Sequence, residues 1–96
     1  MEEKFVIAWE QARQKAAALG VKLRPVPREN ALELARRCLS GSRDSEGFAQ
    51  LQKLGKLELS LEALAVEKAY TALFSDEQAN NALMRLMDAG YRFGKS

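Results

Sequence analysis

The chain has 96 residues, 47% of them apolar and 29% charged, with a formal net charge of +2 and a single cysteine. That length and balance predict a single domain over residues 1–96, large enough to hold a core without disulfides. Histidine is absent, which excludes Ser-His and Cys-His nucleophiles and, with one cysteine, ordinary structural zinc sites. The expected function is therefore binding and not catalysis, with no cofactor and no metal. No apolar run approaches the roughly 20 residues that cross a bilayer. The opening "MEEKFVIAW" is acidic where a signal peptide would be basic. With the lone cysteine, this predicts a cytoplasmic protein without membrane contact.

Five helices are predicted in chain order. The first spans about Glu2 to Leu19 and is closed by Gly20. At 100° per residue, Phe5, Ala8, Trp9, Ala12, Ala16 and Leu19 share one face. Val6 and Ile7 fall to its side and rear. The next stretch, "VKLRPVP", contains both prolines of the chain. Proline disfavours helix in the residue before it, so the segment should be a stiff, extended crossover.

The second helix is expected from about Arg28 to Leu39, with Ala31, Leu32, Leu34, Ala35, Cys38 and Leu39 on its apolar side. Cys38 there reads as an inert small hydrophobe. A short third helix, about Glu46 to Leu54, would be capped by Asp44 or Ser45. It would turn Phe48, Leu51 and Leu54 inward and stop at Gly55. "KLELSL" alternates like a strand, but Ser60 is a good helix cap. Leu59 and Leu64 have the spacing of a hydrophobic staple, which favours a turn.

The fourth helix is expected from Leu61 to about Phe74, apolar around most of its circumference, with Glu67, Lys68 and Thr71 as a narrow wet edge. Glu62 is the one carboxylate that points into an apolar arc; its first-turn position suits the helix dipole. The fifth helix opens with "FSDEQA", a capping box of Ser75 and Gln78. Its inner face would be Ala79, Ala82, Leu83, Leu86 and Met87. Gly90 would end it, and Tyr91 or Phe93 would fold back on the last turn. The fold class is all-α: a compact orthogonal bundle of about five short helices.

Charge is distributed unevenly. Residues 13–43 hold eight basic side chains against two acidic ones, Glu29 and Glu33. Glu33 and Arg37 have the i to i+4 spacing of a helical ion pair. Two binding surfaces follow. The leading expectation is a small protein-binding regulatory or adaptor module, whose partner is either another protein or a second copy of itself in a homodimer. It would use the off-stripe residues Val6, Ile7, Asn81, Met84 and Arg85. The alternative is a nucleic-acid-binding regulator using Lys22, Arg24, Arg28, Arg36, Arg37 and Arg43, whose affinity would come from charge. A helix-turn-helix at "ALFSDEQANNALMRLM" is weak, because Asp76 and Glu77 would face phosphates.

Overall fold

The computed structural model describes residues 2–23, 25–27 and 29–91. Its helices are α1, Glu2–Ala18; α2, Ala31–Ser40; α3, Phe48–Leu54; α4, Leu61–Ala65; and α5, Asp76–Asp88. Short 3₁₀ turns cover Leu57–Leu59 and Thr71–Leu73. Among the described residues there is no strand, so the all-α fold class is what the chain adopts. The Cα radius of gyration is 12.1 Å, with extents of 29 × 27 × 25 Å.

α1 buries Phe5, Ala12 and Ala16, and half-buries Ala8 and Trp9. It ends where the sequence says it should. Gly20, at φ +91°, and Val21 donate backbone N–H groups to Ala17 and Ala16. That double closure lets the buried Val21 drop into the core. Leu19, expected inside, is exposed, because the helix has already ended at Ala18.

The apolar interior consists of two adjoining clusters. One gathers Phe5, Leu32, Leu39, Leu61, Leu64 and Phe74. The other gathers Ala16, Val21, Phe48, Leu51, Leu57 and Leu86. Leu59 and Val66 pack against both. In the first cluster Phe5 sits among Trp9, Tyr70 and Phe74, with ring centroids 5.7, 5.6 and 5.5 Å away. The tilted and edge-on geometries suit the ring quadrupoles.

Several boundaries differ from the sequence expectation. α2 starts at Ala31, not Arg28. α3 starts at Phe48, and neither Asp44 nor Ser45 caps it; the N-cap is Gly47 at φ 78°. A Cβ there would run into the Leu23 side chain and lie 3.2 Å from Val21 Cγ1. Glycine is required at this position both by conformation and by the close approach of the crossover. Leu54, expected inside, is exposed on the last turn of α3.

"KLELSL" is the turn the capping argument favoured. Ser60 accepts the Ala63 N–H at 3.1 Å and donates to the Leu57 carbonyl at 2.7 Å. The largest correction is the fourth helix, which stops at Ala65 instead of Phe74. All five of its residues are buried. A helix apolar all round must be covered all round, and this small bundle covers only one and a half turns of it. Beyond Val66 the chain tightens into turns that leave Glu67, Lys68, Ala69, Thr71 and Ala72 exposed and return Phe74 to the core.

Candidate functional site

α5 sets the functional geometry, because its two sides do different things. Its start is fixed by the expected capping box: Ser75 Oγ accepts the Gln78 N–H at 3.1 Å, and Gln78 Oε1 accepts the Ser75 N–H at 2.9 Å. Its end is fixed at Gly90 and Tyr91, whose N–H groups donate to Met87 and Leu86. Phe93 lies outside the described residues.

Between these ends Ala79, Ala82, Leu83 and Leu86 lie on the buried side as expected, but that side is rotated away from Met87 and toward Asn81 and Arg85. Asn81 and Arg85, expected at a partner surface, point inward. Asn81 Nδ2 donates to the Leu39 carbonyl at 2.8 Å. Arg85 Nη2 donates to the carbonyls of Cys38 at 3.2 Å and Gly41 at 2.7 Å, and Nη1 donates to Glu62 Oε2 at 3.0 Å. Gln78 Nε2 reaches Ser40 Oγ at 3.0 Å.

The last carbonyls of any α-helix lack partners within it, and its C-terminus carries partial negative charge. Here one helix supplies the missing donors to another: α5 side chains cap α2. Arg85 also compensates Glu62, which is fully buried. The Glu62 carboxylate takes two further hydrogen bonds, from Ser45 N at 2.8 Å and Ser45 Oγ at 2.6 Å. A buried carboxylate with a cation and two more donors is a structural lock, since it satisfies the demands that burial imposes on charge. The sequence flagged Glu62 as the carboxylate in an apolar arc but did not supply its partner, which lies 23 residues away.

The rotation turns Met87 outward. Met84 and Met87 are 60% and 61% exposed, on adjacent turns, with exposed Asn80 between them around the helix. Met84 was expected outside; Met87 was expected in the core. On α1, Ile7 is 54% exposed and Val6 is half-buried. Val6 and Ile7 border a shallow groove of about 250 Å³ with Gln11, Gln14 and Val26.

The crossover shapes a second concavity, a cleft of about 330 Å³. Leu23, Pro25 and Pro27 line the cleft, whereas Lys22 is exposed and Val26 lines the shallow groove. Glu10 fixes the crossover in place. Its carboxylate accepts Arg13 Nε at 3.1 Å, and the backbone N–H of Val26 also favours its charged form. The Arg13 hydrogen bond, opposed in part by desolvation, holds the Glu10 carboxyl below the usual glutamate value.

Trp9 and Arg13 of α1 and Leu34 and Cys38 of α2 form the cleft's two helical walls. Burial pushes the Cys38 thiol pKa up, reinforced by the negative charge of Glu62 and opposed by Arg85 and Arg37. The thiol therefore stays protonated and is a poor nucleophile at neutral pH.

The basic residues divide. Lys22, Arg37 and Arg43 are exposed. Arg36 is exposed too, but its Nε donates to the Leu73 carbonyl at 2.8 Å, tying α2 to the second 3₁₀ turn. Arg24 and Arg28 lie outside the described residues. Glu33 and Arg37 do not form the expected ion pair; the ion pairs among the described residues include Glu10–Arg13, Lys56–Glu58 and Glu62–Arg85.

Among the described residues no cluster of three or more Cys, Asp or Glu side chains could hold a metal ion. No helix among them is long and apolar enough to cross a membrane. No protein-family model, curated protein or solved structure matches the chain.

Proposed function

We propose that this chain is a non-enzymatic protein-binding module whose contact face is the outer side of α5, and that a second copy of the chain is its first partner. The observation that carries the reading is the pair Met84 and Met87, exposed at 60% and 61% on adjacent turns of a helix whose opposite side is pinned. Methionine fills irregular apolar surfaces well, because its side chain is flexible and polarizable. A rigid helix presenting such residues at i and i+3 is the geometry of helix-in-groove recognition. Glu77 and Asp88 flank the methionines and would give the contact a polar rim.

Sedimentation velocity over a range of concentrations tests the self-association. The wild type is expected to show a dimer that grows with concentration. The variant Met84→Lys/Met87→Lys is expected to stay monomeric with an unchanged far-UV spectrum. A wild type that remains monomeric up to about millimolar concentration, a range in which even weak contacts of a few kcal/mol are populated, would remove the second copy as partner.

A further inference from the structure

The cleft between α1, the crossover and α2 lies apart from the outer side of α5, and its wall composition specifies a ligand class. We propose that it binds a small, uncharged, bicyclic aromatic molecule. The size follows from the volume. At about 330 Å³ the cleft is roughly twice the ~150 Å³ apolar cavity that takes up benzene. It also sits at the lower end of the range for ligand sites.

The preference for an uncharged ligand follows from the described residues of the wall. Apolar surface is contributed by Trp9, Leu23, Pro25, Pro27 and Leu34, and the polar groups among them are already engaged. Arg13 is held by Glu10. Ser45 is spent on Glu62. Ser60 both donates and accepts within its own turn. An anionic ligand would have to displace Glu10 from Arg13; a neutral ring displaces nothing. The Trp9 indole provides a surface for offset or edge-on ring packing. The walls are rigid for distinct reasons: two prolines fix the crossover, Glu10 ties it to α1, and α5 caps the α2 wall.

The only tryptophan and the only cysteine of the chain both line this cleft, so each gives an unambiguous readout. The folded chain is titrated with 2-naphthol and, separately, with naphthalene-2-sulfonate. The Trp9 indole N–H signal and the rate of Cys38 carbamidomethylation are followed. 2-Naphthol is expected to saturate at one equivalent, to shift the Trp9 signal and to slow Cys38 alkylation about tenfold or more. The sulfonate is expected to bind at least about tenfold more weakly, a difference of about 1.4 kcal/mol.

Leu34→Phe, which places a ring in the cleft, is expected to weaken 2-naphthol by a similar factor. Met84→Lys/Met87→Lys is expected to leave its affinity unchanged. If Leu34→Phe loses its helical circular-dichroism signal, Cys38→Met fills the same space from another position, with Trp9 as readout. The proposal is overturned if 2-naphthol does not saturate. It is overturned equally if the sulfonate binds as tightly, if Cys38 alkylation is unaffected at saturation, or if the cleft-filling variant binds as well as wild type.

Discussion

At the scale of single residues, Arg85 carries the most. It meets a fully buried carboxylate and two backbone carbonyls with one guanidinium. Removing one partner of a buried pair leaves the other charge uncompensated, which costs about 3–5 kcal/mol. Arg85→Met is therefore expected to lower unfolding free energy by that amount in urea denaturation. Lys56→Ala should lie within about 1 kcal/mol of wild type, because the Lys56–Glu58 pair is half-exposed and its charges are 4.0 Å apart. Equal effects would contradict the lock. Gly47 is the second such residue. Gly47→Ala meets both a left-handed backbone and the Leu23 side chain. Gly20→Ala meets only the first, with open space around the added carbon. Left-handed strain alone costs roughly 1–2 kcal/mol, so Gly47→Ala should destabilise more than Gly20→Ala by thermal denaturation, and the reverse order would be wrong. Both residues show what a single sequence hides. Gly47 falls inside the expected third helix, and Arg85 reads as a surface cation until its distant partners are known.

At the scale of elements, the legible features were those with local causes. The closures at Gly20, Gly55 and Gly90, the Ser60 cap and the Ser75–Gln78 box are each set within a few residues, and the structure has them all. The rotation of α5 and the early end of α4 depend on contacts between elements, and hydrophobic periodicity does not report them. Periodicity assigned Asn81 and Arg85 outward because they are polar, yet the orphan carbonyls of α2 made polar side chains the right ones to bury. The crossover is a mixed case. Its prolines predicted an extended segment, but the anchor is Glu10, an unremarked residue of α1. That anchor makes the crossover sensitive to acid. The folded Glu10 pKa lies below its unfolded value of about 4.3. Its contribution is therefore present above that value and lost as pH falls through the folded one. Protonation removes the charge that holds Arg13 and that the Val26 N–H favours. Trp9 emission should change in this acid range while the helical signal persists, and Glu10→Gln should abolish the pH dependence. An identical acid step in wild type and Glu10→Gln would show that another group controls it.

At the scale of the whole molecule, the bundle has a pinned interior and a small set of exposed apolar residues. Leu19 follows α1 and Leu54 ends α3, each next to a glycine turn, and single exposed apolar residues of that kind are ordinary. Met84 and Met87 differ because they are neighbours on one stripe of a fixed helix. The double variant Met84→Lys/Met87→Lys removes apolar surface only from the outside. Its unfolding free energy should stay within about 0.5 kcal/mol of wild type, as for surface substitutions generally. A large loss in urea denaturation would mean that the methionines belong to the core after all. The contact itself is tested most directly by a photoactivatable benzoylphenylalanine at position 84, irradiated in living cells of the source organism, with the same group at exposed position 50 on α3 as control. An adduct between two copies of the chain is expected from position 84, absent from position 50 and lost when Met87→Lys is added; no such adduct from position 84, or equal adducts from both positions, would contradict the contact.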